Sequence, residues 1–171
     1  MLESLPASTT PSLANATEVP ALAAAQRELA HWRARLRFND LESIDVYPRD
    51  AQRSYVRLPS HAGCEAWLIV WPPGSRAPLH DHGVASALAS VLRGELSEAL
   101  QLGSDPFIQR TWRAGVTLEI PEGARHEVWN AGERTAYSLH VYTPRLASMT
   151  FYEHTEGGGL QVLRSERAED W

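Results

Sequence analysis

At 171 residues, 43% of them hydrophobic, and with a formal net charge of −5, the chain is long enough for one domain with a substantial core and has no long basic run of the kind nucleic-acid binders use. Cys64 is the one cysteine, which excludes an intrachain disulfide and suits a reducing cytoplasm. No apolar run approaches transmembrane length and no signal-peptide pattern opens the chain. Small-molecule chemistry is the expectation, with neither nucleic acid nor membrane as a partner.

Residues Met1 to Glu18 are rich in Ser, Thr, Pro and Ala and read as a flexible leader, leaving 19–171 as one domain. From Val19 the pattern changes. Pro20 suits a first helical turn, and Leu22, Ala25, Leu29, Trp32 and Leu36 recur at helical spacing, so an amphipathic helix is predicted with Arg27, Arg33, Arg35 and Arg37 on its solvated face. Leu41 to Tyr47 reads as a short helix or strand before a turn at Pro48. Trp67 to Trp71 is a continuous apolar run of strand length, ended by Pro72-Pro73-Gly74. Short strand-like runs then alternate with turn signals: 87–92, 96–100, 108–112, 116–120, 127–129, 137–142, 149–153 and 160–163, the last two joined at Gly157-Gly-Gly159. Strands this short and regular predict a mainly β, antiparallel sandwich or barrel. There is no internal repeat and no linker.

The chemistry gathers at His80-Asp-His82. On a strand, residues two apart leave the same face, so the two imidazoles converge on one point, an arrangement suited to iron, zinc, copper or nickel. The flanking spacing adds to this: Gly74, His80, His82 and Gly94 fall at the intervals Gly, five residues, His-x-His, and a closing Gly. Gly115, Pro121, Gly123, His126 and Asn130 form a second set, in which the Pro-x-Gly turn reverses the chain and delivers His126 to the next strand. The two sets resemble the paired motifs of the cupin family, with Ala87 where the first motif has its glutamate. The resemblance implies a jelly-roll cupin barrel preceded by a short helical region, with His80, His82 and His126 as metal ligands. Without a carboxylate at Ala87, three neutral imidazoles leave the site its positive charge, which favours an anionic donor such as a thiolate.

Tyr55-Val-Arg57, Trp67 to Trp71, His80-Asp-His82 and Ser138-Leu-His140-Val-Tyr142-Thr-Pro144 together resemble the type I cysteine dioxygenase family of thiol dioxygenases. In a strand, Ser138, His140 and Tyr142 share one face and Leu139, Val141 and Thr143 the other. Polar side chains turned into a barrel can form a hydrogen-bond relay. The resemblance implies that Tyr142 sits near substrate and oxygen, that His140 orients it and that Ser138 stands behind. It also implies one Fe(II) per chain, O2 and a small thiol as partners, and Arg57 as the substrate carboxylate's clamp with Tyr55 in support, a role suited to a guanidinium fork. Relatives acting on 3-mercaptopropionate are expected to carry Gln at the Arg57 position, so L-cysteine oxidation to the sulfinate is the favoured activity. Mercaptosuccinate stays open because Arg76 or Arg145 could meet a second carboxylate. A cupin that holds a ligand without turnover is the reading from another class. Animal members have a cysteine at the Ala87 position joined to the tyrosine in a thioether. Ala87 cannot form that bond, and no crosslink is expected. His31, His61 and His154 lack ligand-like spacing and are expected at the surface.

Overall fold

The computed structural model describes residues 13–36, 52–61 and 63–168. Among the described residues one helix, α1 (Leu13–Arg35), precedes eleven strands: β1 (Ser54–Leu58), β2 (Glu65–Trp71), β3 (Arg76–Asp81), β4 (Ser86–Arg93), β5 (Glu95–Gln101), β6 (Ile108–Arg113), β7 (Thr117–Ile120), β8 (Arg125–Trp129), β9 (Ala136–Thr143), β10 (Ser148–His154) and β11 (Leu160–Arg167). The runs read from the sequence are all strands, and β1 and β3 add to them. The element expected at 41–47 lies outside the described residues. The helix starts at Leu13, inside the stretch expected to be a leader, which puts Pro20 in its interior rather than its first turn.

The strands form two antiparallel sheets, one in the order β1-β2-β9-β4-β7 and the other β11-β10-β3-β8-β5-β6. Their ladders are not joined, so the barrel expected from the motifs takes the form of a two-sheet jelly roll. The core between the sheets includes Ile69, Trp71, Val91, Leu96, Trp112 and Val128. A second cluster lies on the outer face of the five-stranded sheet, where Ala25 and Leu29 of α1, with Leu22, Trp32 and Leu36 against them, cover Ala66, Leu88, Leu139 and Val141. This accounts for the apolar run at 67–71: β2 is buried along nearly its whole length, with Ile69 and Trp71 in the core between the sheets and Leu68 and Val70 buried on the opposite face, so neither face needs polar residues.

Two glycines hold the connections that aim the site. Gly123 has φ of 70° in the turn before β8, as the Pro-x-Gly motif requires. Gly94, with φ of 77°, passes so close to β9 that a Cβ would stand 3.0 Å from the Ala136 backbone. Asn130 closes the far end of β8: its Nδ2 donates to the carbonyls of Trp71 and Arg134, each at 2.8 Å, while its Oδ1 accepts from the Gly132 amide. The motif asparagine is thus a structural clip between sheets and turn.

Candidate metal centre and its cavity

His80 and His126 are cross-strand partners on β3 and β8, and His82 stands one residue beyond the end of β3. All three are buried, at 4%, 2% and 1% exposure for His80, His82 and His126. A nitrogen of each lies within 4.8 Å of the others. His82 Nε2 and His126 Nε2 are 3.2 Å apart. The hydrogen bonds behind the rings decide which nitrogens face inward. His80 Nδ1 is 2.7 Å from the Pro78 carbonyl, which can only accept, so His80 Nδ1 carries the proton and Nε2 the lone pair. His126 Nδ1 is 2.6 Å from Glu98 Oε1, and the same reasoning makes its Nε2 a lone-pair donor. Burial, and then the neighbouring His126, hold His80 and His82 well below the usual imidazole range, so both are neutral, as metal ligands must be. Inward lone pairs on buried neutral rings fit a divalent metal.

A cavity of about 80 Å³ opens at the metal end and is lined by His80, His82, His126, His140, Tyr142 and a ring of apolar and aromatic side chains. Since one water occupies roughly 10–15 Å³ on this measure, the space suits a metal and a small ligand, not a bulky one.

The inner face of β9 supplies Ser138, His140 and Tyr142, while Leu139 and Val141 face α1. Trp71 Nε1 donates to Ser138 Oγ at 2.8 Å, and Ser138 Oγ lies 2.9 Å from His140 Nε2. With Trp71 on one lone pair, the Ser138 hydroxyl proton is free to meet His140 Nε2. That leaves the proton of His140 on its buried Nδ1, which has no protein partner among the described residues. Burial, then the neighbouring His126 and Arg53, lowers the His140 pKa to about 3, so the ring is neutral. It stacks on Tyr142 at 6.3 Å between centroids, and Tyr142 meets His82 edge-on at 4.9 Å. Burial pushes the Tyr142 phenol above its ordinary value, with Arg53 opposing and Glu65 adding to the shift, so it remains an O–H donor. Ala87 is the cross-strand neighbour of Tyr142 and brings only a methyl group to that wall.

The arginines fall differently from the sequence expectation. Arg57 does not line the cavity. Its side chain is 54% exposed and its Nε is 3.0 Å from Oε1 of Glu65, a carboxylate only 2% exposed that also accepts from Trp67 Nε1 at 3.0 Å. Arg57 lies with Ser60 and Arg145 on a separate surface cleft. Arg53, which the sequence reading passed over, is the arginine that lines the cavity, with its guanidinium 5.9 Å from the Tyr55 ring and 5.8 Å from Trp71. Burial lowers its pKa despite the opposing pull of Tyr142, Tyr55 and Glu166, the mark of a partly desolvated cation. Tyr55 does border the cavity, edge-on to Trp67 at 5.4 Å. Arg76 is turned outward, pairing with Glu127 and lying over Trp129.

Glu98 also escaped the sequence reading. It is fully buried, and its Oε2 accepts from Trp112 Nε1 at 3.2 Å and from Arg110 Nε. Burial alone would raise its pKa, but the hydrogen bond and proximity of His126 and the Arg110 guanidinium outweigh it and keep Glu98 ionised. Its position was legible in principle: Glu98 stands between Leu96 and Leu100 on one strand face, where alternation turns it to the core.

Comparison with known proteins adds to this geometry. A family model described as cysteine dioxygenase type I matches residues 9–155. Oxalate oxidase 1 of Hordeum vulgare is 31% identical over 87 residues, which is 48% of this chain and 43% of that protein, so the chain spans less than half of that relative. A solved structure of recombinant oxalate oxidase in complex with glycolate aligns with a TM-score of 0.53 and 25% identity over 60% of this chain and 56% of its own. The Schizosaccharomyces pombe Cnp3 cupin domain aligns with a TM-score of 0.51 over 60% of this chain and 69% of its own; at 13% identity it speaks for the fold alone. Among the described residues no helix is long and apolar enough to cross a membrane.

Proposed function

Because the chain belongs to the cysteine dioxygenase type I family, we propose that it is an Fe(II)-dependent thiol dioxygenase that adds both atoms of O2 to the sulfur of a small carboxylate-bearing thiol, L-cysteine foremost, giving the sulfinate. The observation that carries the reading is the convergence of His80, His82 and His126 at the end of a small cavity that is also lined by Tyr142 and Arg53. Iron held by the three Nε2 atoms would supply Lewis acidity for the thiolate and the one-electron chemistry that O2 requires.

The remaining work belongs to the protein. The thiolate end of the substrate lies toward the histidines, where the ligand set carries no carboxylate of its own to compete with it. The substrate carboxylate is held by Arg53, whose guanidinium faces the cavity and is partly stripped of water, conditions in which a charged hydrogen bond gains strength. Arg57, the clamp expected from the sequence, is engaged by Glu65 outside the cavity, while Tyr55 borders the cavity as a supporting contact. Tyr142, protonated and against His82, donates a hydrogen bond to oxygen as charge develops there. His140 presses on the Tyr142 ring and is itself fixed by Ser138 and Trp71. Phe151 and Met149 help line the wall and exclude bulk water. The setting is the cytoplasm, where free thiols are abundant.

The test is to load the protein with Fe(II) without oxygen, add L-cysteine, 3-mercaptopropionate, mercaptosuccinate or oxalate in parallel, admit air and measure oxygen uptake with sulfinate by mass spectrometry. Cysteine is expected to give one sulfinate per O2. Preference for mercaptosuccinate would keep the mechanism and move the substrate. Oxygen uptake with oxalate alone would align the activity with the oxalate oxidases, and no uptake with iron bound would leave a ligand-holding cupin.

A further inference from the structure

The three histidines are not equivalent. Behind His80 stands a neutral backbone carbonyl, and behind His82 nothing: its buried Nδ1 has no protein partner among the described residues. Behind His126 stands a carboxylate. Glu98 sits on β5, whose register pairs Leu100 with His126 and Glu98 with Val128, so the Glu98 side chain reaches His126 Nδ1 at 2.6 Å from the core side of the sheet. The other oxygen of Glu98 is held by Trp112 Nε1 and Arg110 Nε, both reaching in from β6, where Arg110 is the cross-strand partner of Glu98. An ionised carboxylate can only accept, so this contact admits one tautomer of His126, with the proton on Nδ1.

We propose that Glu98 is a positioning residue for the metal. It locks His126 with its Nε2 lone pair toward the centre, and through that ring it delivers the negative charge that Ala87 cannot supply as a ligand. Arg110 and Trp112 keep the Glu98 carboxylate aimed, and the site carries its anion one residue behind the ligands instead of among them. Hydrogen-bonded partners of metal-bound histidines raise ligand basicity and fix ring orientation, and their loss typically weakens metal binding about 10–100-fold. This inference rests on the metal reading of the three histidines, not on thiol oxidation.

The experiment therefore uses no thiol and no oxygen. The dissociation constant of Co(II) is measured by chelator competition on full-length wild type, Glu98→Gln and Glu98→Asp, with circular dichroism to establish that each is folded. Glu98→Gln is expected to weaken Co(II) binding about 10–100-fold, while Glu98→Asp, which keeps the charge at a shorter reach, is expected to fall between it and wild type. In parallel, ¹⁵N NMR of metal-free protein reads the His126 tautomer. Wild type should show Nδ1–H alone and Glu98→Gln a mixture. A Glu98→Gln protein that binds Co(II) within twofold of wild type overturns the proposal. So does a wild-type His126 protonated on Nε2, a result that needs no variant to fold. Failure of the thiol assay with these outcomes intact would overturn the proposed activity and leave this inference standing.

Discussion

Arg53 and Arg57 lie four residues apart, and a pair of substitutions separates their roles. Arg53→Gln keeps a polar side chain but removes the guanidinium from the cavity. A charged hydrogen bond contributes about 1.5–3 kcal/mol, and removing a desolvated partner of a charge pair costs about 2–5 kcal/mol. A central figure of about 3 kcal/mol corresponds to about 10²-fold in kcat/KM. Arg57→Gln acts elsewhere. It leaves Glu65, 2% exposed, held by the hydrogen bond from Trp67 Nε1. Because Arg57 itself is 54% exposed and its charge is screened, the loss should stay near 1–2 kcal/mol, felt as stability. The assay is kcat/KM for L-cysteine and for cysteamine, which has the thiol and amine but no carboxylate, together with the melting temperature of each variant. Arg53→Gln should lose about 10²-fold on cysteine and little on cysteamine, with melting unchanged. Arg57→Gln should melt lower, lose similarly little on both substrates, and recover its melting temperature when Glu65→Gln is added. A carboxylate-specific loss in Arg57→Gln with Arg53→Gln unaffected would refute the assignment and return the clamp to Arg57.

Tyr142→Phe keeps the ring against His82 but removes the phenol donor, and kcat should fall about 10²-fold, as for other single donors to developing oxygen charge, with Fe(II) affinity unchanged. Chelating the metal should lower the melting temperature: iron at about 100 times its dissociation constant stabilises by about 2.7 kcal/mol, or about 5–11 °C for a domain of this size, and His80→Ala should abolish that difference. The pH dependence of metal-free protein follows from the buried imidazoles. His140 titrates at about 3 when folded, and His80 and His82 are likewise held down. Unfolded, each takes a proton near pH 6.5, so the unfolded state binds more protons and stability is lost as pH falls below about 6.5, by up to about 1.4 kcal/mol per unit for each ring. Urea midpoints at pH 7, 6 and 5 should decline steadily, and a flat profile would show that these rings are not neutral in the fold.

Much of the site was legible because its spacing is dictated by backbone geometry. His80 and His82 had to be two apart to aim at one point, and His126 had to follow a Pro-x-Gly reversal to enter the facing strand. The β9 relay was legible for the same reason, since period-two alternation separates Ser138, His140 and Tyr142 from Leu139 and Val141. What escaped the sequence depends on pairing across strands. Arg53 precedes β1, so no alternation announced it, and a Tyr-x-Arg pattern says nothing of a Glu65 arriving from β2 to occupy Arg57. Glu98 reads as a surface acid in Glu95-Leu-Ser-Glu-Ala-Leu until its apolar neighbours at 96 and 100 are seen to share its face. The helix start was missed for a different reason: Ser, Thr and Ala over 7–17 signal a polar leader by composition, yet alanine is also the strongest helix former.

The central claim, that this chain oxygenates a thiol and does not merely bind or oxidise a small acid, is tested most directly by isotope. Iron-loaded protein turned over with L-cysteine under ¹⁸O2 in unlabelled water should yield sulfinate carrying two ¹⁸O atoms and no hydrogen peroxide. Sulfinate with one or no labelled oxygen, or oxygen consumed with peroxide released and the thiol recovered as disulfide, would contradict the account.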